Sequence, residues 1–402
     1  MMTIAYLTSQ YGRAGDTFIR GEVEHLRILG FAVETFSVRA PSERELVSDV
    51  ILRERRATED ILGAGLFSLI GSALLLAISR PKRFGKATNL AIRIGYPGFR
   101  GRLWPMAYLV EACLLARRMQ AKGVDHLHNH LGQNSAAVAM LASVLSGIPY
   151  SLTIHGPSEF DTPLTLALKE KIAQSRFTVA ISDFGRSQLM RWSAAKHWPK
   201  IYVIRCGLPS DFELPTATAV PDVPRIVYVA RFVEEKGHLV LIAAIARLAK
   251  AGKNVELCLV GDGPLRTVIE MAIAQNNAEQ YIKLLGWKSS KDVLQIIESS
   301  RGFVLPSFAE GLPVSLMEAM ALARPVVGTN VGAVSELVEN GRHGWLVPAG
   351  SVESLTAAIG EMLDAPVEVL TKMGSEGSKR VIERHNARLG AQRLASLFMG
   401  SV

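Results

Sequence analysis

The segment Phe303–Thr329, FVLPSFAEGLPVSLMEAMALARPVVGT, shows how the second half of the chain is built. A short apolar run at its start, Gly302–Leu305, predicts a buried strand. Pro313 occupies the place expected for the first residue of a helix, and helical periodicity continues over Val314–Ala323. Pro325 ends that helix, because a proline disfavours helical backbone in the residue before it. The segment therefore predicts a strand–loop–helix unit of an α/β domain.

Two carboxylates flank the start of this helix. Glu310 lies in the loop before it, and Glu318 lies more than one turn inside it. Between them we expect N–H groups at Gly311, Leu312 and Val314, where a helix N-terminus attracts phosphate. Since carboxylates accept hydrogen bonds from hydroxyls, this row matches a ligand with hydroxyls at both ends and a diphosphate between them, such as a nucleotide-sugar. The alternative is an ordinary loop and helix with two solvated glutamates.

Composition limits the class of protein. The chain has 402 residues, 49% of them hydrophobic and 20% charged, which is typical of a globular protein with two or three domains. Its three cysteines, Cys113, Cys206 and Cys258, have neither metal-ligand nor disulfide spacing, which favours a reducing compartment. The first residues lack the basic start and long apolar core of a signal peptide. We therefore expect a cytoplasmic protein.

Positive charge is concentrated in the first half of the chain. Residues 1–208 contain 26 Lys+Arg and 16 Asp+Glu, a balance of +10, whereas the remaining residues contain 19 and 21, a balance of −2. A basic half predicts an anionic partner. Because we find neither a nucleic-acid motif nor aromatic residues interleaved with the cations, an anionic membrane surface or a lipid phosphate is favoured over nucleic acid.

The pair Glu310 and Glu318 resembles the two-glutamate signature of retaining GT-B glycosyltransferases of family 4. Residues 16–41, DTFIRGEVEHLRILGFAVETFSVRAP, also resemble the start of bacterial exopolysaccharide glycosyltransferases of the colanic-acid, amylovoran and xanthan group. The resemblance implies two Rossmann-like, doubly wound α/β domains that face each other across a cleft. Residues 1–208, joined by a returning C-terminal helix at 387–402, would form the acceptor-side domain. Residues 209–386 would form the domain that binds the nucleotide-sugar.

Candidate site residues of the first half lie where predicted strands end. The first strand, Thr3–Thr8, leads into a loop that contains Gly15, which we assign to the donor. His155 follows another strand and precedes a glycine that opens the backbone, a favourable position at a ligand cleft. The resemblance implies that His155 is the active-site histidine beside the donor sugar. An ordinary hydrogen-bonded loop histidine is the alternative.

Three histidines alternate along the predicted strand Val124–His130. His126, His128 and His130 would share one face of it, and three histidines on one face could bind a metal. The sequence shows no carboxylate or cysteine cluster that completes such a site, so we predict no metal. The resemblance implies that His130 lies on the acceptor side.

Two cations flank a tight loop that follows the strand Arg225–Ala230. Arg231 and Lys236 could bind a diphosphate and stabilise the charge of a leaving group. Surface pairing with Glu234 and Glu235 is the alternative. The pattern resembles the arginine and lysine that bind the donor diphosphate in the same family. The resemblance also implies that Glu310 holds the sugar hydroxyls and Glu318 the ribose diol.

Two further positions are assigned to the donor. Gly261 and Gly263 begin like a dinucleotide fingerprint, but Arg266 stands where its third glycine belongs, which disfavours a nicotinamide dehydrogenase. Gly263 therefore remains as a donor-binding candidate. Trp287 follows a predicted strand at a place where, in the resembling family, the backbone lies against the nucleotide base.

An apolar segment, Ile61–Ile78, is followed by four cations between Arg80 and Lys86. We favour a buried helix or helical hairpin of the first domain. A surface-inserting amphipathic element is the second possibility, and a transmembrane helix is the third, since it would split the domain.

The resemblance implies a glycosyltransferase that moves a sugar from a UDP- or GDP-linked donor to an acceptor hydroxyl, with the anomeric configuration retained and no metal or other cofactor required. The acceptor would be a lipid-linked glycan of exopolysaccharide biosynthesis, and the enzyme would lie on the cytoplasmic face of the inner membrane. Two alternatives remain. One is a catalytically inactive nucleotide-sugar-binding scaffold. The other is a sugar phosphorylase of similar fold, although we find no lysine motif for a pyridoxal cofactor.

Overall fold

Each half of the chain folds around its own parallel β-sheet. The computed structural model describes residues 1–13, 17–41, 49–208 and 218–401. The first unit comprises Met1–Pro209 and Ala387–Val402, and the second comprises Ser210–Asn386. Gly15, which the sequence assigned to the donor, lies outside the described residues.

The first sheet has seven strands in the order β3-β2-β1-β4-β5-β6-β7, all parallel. The strands are β1 (Thr3–Thr8), β2 (Ala32–Ser37), β3 (Glu59–Asp60), β4 (His126–His130), β5 (Tyr150–Ile154), β6 (Thr178–Ala180) and β7 (Ile201–Val203). The helices are α1 (Thr17–Ile28), α2 (Asp49–Ala57), α3 (Leu66–Ser79), α4 (Pro81–Arg93), α5 (Phe99–Ala121), α6 (Asn134–Ser146), α7 (Ser158–Asp161), α8 (Leu168–Gln174) and α9 (Asp183–Arg191).

The second sheet has six parallel strands in the order β10-β9-β8-β11-β12-β13. They are β8 (Arg225–Val229), β9 (Glu256–Val260), β10 (Ile282–Gly286), β11 (Gly302–Leu305), β12 (Val326–Thr329) and β13 (Gly344–Val347). The helices are α10 (His238–Lys250), α11 (Arg266–Gln275), α12 (Ser290–Glu298), α13 (Val314–Ala321), α14 (Val334–Leu337), α15 (Val352–Asp364) and α16 (Val367–Arg384). The last helix, α17 (Ala387–Met399), belongs to the first unit, where it packs on α1.

Strand β1 is buried on both faces, as expected of a central parallel strand with helices on either side. Ile4 and Tyr6 face a core shared with α1 and α17, which includes Phe398. Ala5 and Leu7 face the larger core formed with α3 to α6. This alternation follows from the two-residue period of a strand, and it places the side chains of one β1 face beneath α1.

Both sheets reverse their strand order at one point. In the first sheet this point lies between β1 and β4, and in the second between β8 and β11. At such a point successive crossovers leave on opposite faces, and a crevice opens outside the carboxyl ends of the two strands. The topology therefore selects the loops after β1, β4, β8 and β11 as the places to look for a site in each unit.

The apolar segment Ile61–Ile78 contributes a helix of the first unit, as predicted, but this helix is buried on one side only. Ile61 is buried, but α3 buries only Leu69, Ser72 and Leu76 and exposes its other face to solvent. The segment is apolar all round, and sequence periodicity alone does not tell which of its faces the fold covers. Among the described residues, no helix is long and apolar enough to cross a membrane.

Candidate functional site

The loops after β8 and β11 lie side by side at the reversal point of the second sheet. The two strands pair in parallel, with Ile226 opposite Gly302 and Val227 opposite Phe303. Since parallel strands end at the same edge, the loop of residues 230–237 meets the loop of residues 306–313. The backbone N–H of Phe308 donates a hydrogen bond of 2.8 Å to the carbonyl of Glu235, which joins the two loops directly.

Lys236 and Glu310 form an ion pair between these loops. Lys236 Nζ lies 2.7 Å from Glu310 Oε1, and the Ser307 hydroxyl donates a bond of 2.6 Å to the same oxygen. Glu310 is only 5% exposed, so its charge has lost most of its contact with water. The buried hydroxyl of Tyr228 donates a bond of 2.7 Å to the Lys236 carbonyl and fixes the backbone of that residue. The sequence predicted separate ligand contacts for this lysine and this glutamate, and the structure joins them in one pair.

Arg231 lies on the same loop but remains available to a ligand. Its side chain is 66% exposed, and its guanidinium lies 3.8 Å from the Glu235 carboxylate, which is longer than a hydrogen bond. An exposed ion pair of this kind contributes little stability. The surface pairing weighed in the sequence is therefore present in part, and it leaves the guanidinium free to turn towards an anion.

Helix α13 begins one residue later than the sequence predicted. Pro313 is its N-cap and the helix starts at Val314, so Gly311 and Leu312 lie in the preceding turn. This corrects the expectation that their N–H groups belong to the helix N-terminus, although both residues remain next to it. Both are buried, with Leu312 8% exposed. The first free N–H groups of the helix belong to residues 314–316.

Glu318 lies in the second turn of α13 and is partly exposed. Burial of its carboxyl group raises the pKa to about 7, because a low-dielectric surrounding disfavours the charged form. Glu318 therefore changes its charge close to neutral pH.

The two remaining assignments in the second unit have different surroundings. A Cβ atom on Gly263 would lie 2.6 Å from the Phe232 carbonyl oxygen, so the absence of a side chain lets the loop after β9 press against the loop after β8. The close packing of these two loops is thus sufficient to explain why a glycine stands at position 263. Trp287 follows edge strand β10 and is 70% exposed. A large exposed indole there offers a flat face to a planar group.

In the first unit, two histidines meet a glutamate at the carboxyl ends of β4 and β5. Nε2 of His130 lies 2.9 Å from Glu22 Oε1, and Nδ1 of His130 lies 3.0 Å from Nε2 of His155. The hydroxyl of Tyr6 donates a bond of 2.6 Å to the same glutamate oxygen. Sequence reasoning singled out both histidines but missed Glu22. The signal was weak, because Glu22 lies 108 residues from His130 and only the packing of α1 over β4 brings them together.

This network fixes the tautomers of both histidines. The Glu22 carboxylate only accepts hydrogen bonds, so Nε2 of His130 carries a proton. When the His130 ring is neutral, its Nδ1 accepts a hydrogen bond from Nε2–H of His155. Burial holds the pKa of His155 well below its usual range, so its ring is neutral at neutral pH. Nδ1 of His155, which lies 4.0 Å from Cys206 Sγ, is then a hydrogen-bond acceptor.

The histidine strand does meet a carboxylate, which corrects the sequence-based expectation. The ligand atoms of Glu22, His128 and His130 lie within 4.8 Å of one another, a grouping that could hold a metal ion. Each nitrogen of His128 also lies within hydrogen-bond distance of a hydroxyl, at 2.7 Å from Ser151 and 3.0 Å from Thr153. The nitrogens of His128 and His130 and one oxygen of Glu22 thus have protein partners.

A buried carboxylate holds the loop that carries His155. Glu159 accepts hydrogen bonds from three backbone N–H groups, those of Gly132, His155 and Gly156. Lys171, also buried, donates bonds of 2.8 Å to the carbonyls of Gly132 and Gln133, and burial lowers its pKa to about 7. The loops after β4 and β5 are therefore fixed by side chains that sequence reasoning did not identify.

Comparison with known proteins finds a family match within the second unit. Residues 223–365, which include the Lys236–Glu310 pair and Glu318, match the family described as Glycosyl transferases group 1. The chain contains a glycosyltransferase group 1 domain. The predicted resemblance to glycosyltransferases is thereby confirmed, and the match supports glycosyltransferase activity.

Two relatives of this glycosyltransferase have names that assign them to exopolysaccharide biosynthesis. AmsK, an amylovoran biosynthesis glycosyltransferase of Erwinia amylovora, is 26% identical over 419 residues, which cover 98% of this chain and 99% of AmsK. WcaL of Salmonella typhimurium, a putative colanic acid biosynthesis glycosyltransferase, is 33% identical over 205 residues, which cover 49% of this chain and 50% of WcaL.

A solved structure establishes the fold of the glycosyltransferase. The crystal structure of Anabaena HepE in complex with UDP and glucose is similar over 100% of both chains, with a TM-score of 0.73 and 18% sequence identity. Its likeness, together with the two parallel sheets, confirms the predicted GT-B fold with two Rossmann-like domains.

Proposed function

We propose that this glycosyltransferase transfers a sugar from a nucleoside-diphosphate sugar to a hydroxyl acceptor with the anomeric configuration retained, as family 4 enzymes do. The observation that carries the proposal is the edge formed by Arg231, the Lys236–Glu310 pair and the start of α13. Two cations, a helix N-terminus and two carboxylates belong to this part of the second unit, which supports the proposal. Cations and N–H groups bind a diphosphate, and the carboxylates bind the hydroxyls on either side of it.

Each residue of this edge has a part in the proposal. Arg231 and Lys236 bind the donor diphosphate, assisted by backbone N–H groups near Gly311 and Leu312. Glu310 accepts hydrogen bonds from the sugar hydroxyls, and Glu318 accepts them from the ribose diol. Gly263 keeps the neighbouring loop close, and Trp287 lies against the nucleotide base.

The reaction needs charge stabilisation more than a protein nucleophile. The bond between the anomeric carbon and the diphosphate oxygen breaks, and the acceptor oxygen forms the new bond on the same face of the sugar. The acceptor proton passes to a diphosphate oxygen, so the charges balance. Arg231 and Lys236 stabilise the negative charge that develops on the leaving diphosphate, which takes the place of a metal ion in this proposal.

The first unit supplies two histidines to the proposal. His155 contacts the transferred sugar, and its unprotonated Nδ1 can accept a hydrogen bond from a hydroxyl. His130, on the acceptor side, holds His155 in that tautomer through the bond between them. Because Glu22 in turn orients His130, all three act as one unit.

The acceptor in this proposal is a lipid-linked glycan, and the product is part of a bacterial exopolysaccharide. The names of AmsK and WcaL support the pathway class, and the UDP in the HepE crystal structure supports a UDP-linked donor over a GDP-linked one. An enzyme with a lipid-linked acceptor works at a membrane, so we place it on the cytoplasmic face as a peripheral protein.

A donor screen tests the proposal. Purified protein is first screened against UDP- and GDP-sugars by thermal shift, since a bound ligand stabilises the folded state. Hits are then assayed for release of nucleoside diphosphate and for the anomeric configuration of the product. We expect release with one donor class and a retained product. An inverted product, or binding without turnover in the presence of mixed glycan acceptors, would contradict it.

A matched variant separates the proposal from its alternatives. Lys250→Ala removes an exposed lysine of α10 and should leave turnover unchanged, whereas Lys236→Ala should abolish most of it. An inactive scaffold would bind the donor and show no turnover in either variant. A phosphorylase would release sugar phosphate when inorganic phosphate is added, and a pyridoxal cofactor would show in its absorbance spectrum.

A further inference from the structure

Helix α3 exposes an apolar face of unusual size for a surface helix. Phe67 is 96% exposed and Ile78 is 80% exposed, and Leu66, Ile70 and Leu74 are each more than 40% exposed. Residues 66, 70, 74 and 78 recur every four positions, so they line one side of the helix. A contiguous apolar surface of this kind is rare on a protein that contacts only water, and it marks an interaction surface.

The sequence around α3 carries positive charges and no negative ones. Residues 61–110 contain seven Lys and Arg and no Asp or Glu. Of the cations that follow α3, Lys82 and Lys86 are exposed, and neither forms an ion pair with another described residue. The positive charge of this region is thus available to an anionic partner.

A cleft of about 650 Å3 lies where α3 joins α4. Arg80, Lys82 and Arg83 line it, together with Ser146 at the end of α6. Both arginines donate hydrogen bonds to the Ser146 carbonyl, which fixes their guanidinium groups at the cleft wall. Each guanidinium carries five N–H donors, so donors remain for a phosphate group.

The start of α5 also exposes large apolar side chains. Helix α5 packs against both α3 and α4, and its first turns expose Phe99, Leu103 and Trp104. Tryptophan is enriched where an apolar layer meets water, because its ring is apolar and its N–H remains hydrated.

We propose that α3 lies in the plane of an anionic bilayer with its exposed apolar face among the acyl chains, while the cleft between α3 and α4 binds a lipid phosphate. Apolar residues alone would fit a second protein, but a region with seven cations and no carboxylate matches a surface of one negative sign. This inference rests on the proposed function, because it supplies the contact through which a lipid-linked acceptor is reached. The inference also differs from membrane binding by charge alone, because the apolar face of α3 inserts into the bilayer.

Vesicle flotation tests the inference on the whole protein. Vesicles of phosphatidylcholine with or without phosphatidylglycerol are mixed with the protein at low salt and at 1 M NaCl, where the screening length falls to about 3 Å. We expect binding to the anionic vesicles at low salt and retention of at least about a third of it at 1 M. An electrostatic contact alone would be lost at 1 M salt, and that result would overturn the insertion of α3.

Two double variants, each with a control, separate the apolar from the electrostatic contribution to vesicle binding. Phe67→Gln with Ile78→Gln should lower vesicle affinity at least about tenfold and abolish salt-resistant binding. The control, Met271→Gln, changes a half-exposed apolar residue on α11 and should bind like the wild type. Lys82→Glu with Lys86→Glu should remove the preference for phosphatidylglycerol, whereas the exposed control pair Lys250→Glu and Lys379→Glu should not.

A different occupant of the exposed α3 face or of the cleft would give a different experimental result. If a second copy covers α3, light scattering shows a dimer that the Phe67→Gln and Ile78→Gln changes dissociate, and vesicles do not bind. If 20 mM inorganic phosphate displaces the protein from vesicles fully at constant ionic strength, the cleft is a site for free phosphate and the lipid proposal fails. Donor hydrolysis is measured on every variant without vesicles. Unchanged hydrolysis with no vesicle binding in the wild type would overturn this inference alone and leave the proposed transferase intact.

Discussion

Glu318 makes nucleoside binding sensitive to pH. Burial raises its pKa to about 7. The ionised carboxylate accepts charge-assisted hydrogen bonds on both oxygens from the two hydroxyls of a ribose, whereas protonation removes the charge and turns one oxygen into a donor. With a pKa of about 7, roughly nine-tenths of the carboxyl is ionised at pH 8 and roughly one-tenth at pH 6. The association constant should therefore fall about tenfold over this range, which corresponds to about 1.4 kcal/mol. Binding weakens as the pH falls, because protonation removes the form that binds.

Isothermal calorimetry with the nucleoside measures this effect without interference. A nucleoside has no phosphate, so its charge does not change between pH 6 and 8, whereas a diphosphate titrates in this range. Because the bound state favours ionised Glu318, binding at pH 7 should also release about half a proton. The release is measured by repeating the titration in buffers with different ionisation enthalpies.

The variant Glu318→Gln is the matched control. It keeps the shape of the side chain and removes its titration, so nucleoside affinity should be weaker and independent of pH. Equal affinity at pH 6 and 8 in the wild type would refute the reasoning. So would an unchanged pH dependence in the glutamine variant, since another group would then be responsible.

Three further predictions concern the same edge of the second sheet. Lys236→Ala and Arg231→Ala should each lower turnover about a hundredfold, which corresponds to about 3 kcal/mol in the activation barrier. Only Lys236→Ala should also lower the melting temperature, because it leaves Glu310 buried without its cation. Near-normal turnover in both would reject the diphosphate assignment. Glu310→Ala should depress transfer and leave binding of the bare nucleoside diphosphate nearly unchanged, whereas Glu318→Ala should weaken that binding. If calorimetry shows equal losses of nucleoside-diphosphate affinity in both variants, the division of roles is contradicted. A chelator should leave turnover intact, and a complete loss that a divalent metal restores would show that the cations do not suffice.

Much of the second unit could be predicted because its signals are local. The strand before Pro306 and the helix after Pro313 follow from an apolar run and from proline chemistry. Arg231 and Glu310 were recognisable because each follows a predicted strand, and strand ends are where ligands bind in such sheets. Element boundaries were less certain. Helix α5 runs from Phe99 through Pro105 to Ala121, although a proline inside a helical pattern usually marks a helix end.

Contacts between distant residues could not be predicted in the same way. The Lys236–Glu310 pair spans 74 residues, and the Glu22–His130 bond spans 108. Each depends on which strands become neighbours, and strand order is decided by the packing of the whole sheet. Glu22 carries no local signal, because an isolated glutamate on an amphipathic helix is most often a solvated one.

The sequence by itself determined the chemical groups at the strand ends, the alternation of strands and helices, and the concentration of positive charge in the first half. Those features depend on the order of residues along the chain. The tertiary structure alone decided which groups meet and which faces are covered. It joined Lys236 to Glu310, raised the pKa of Glu318 by burial, and left the apolar face of α3 exposed. Burial is set by residues far away in the chain, so periodicity can indicate an apolar face but not the element that covers it.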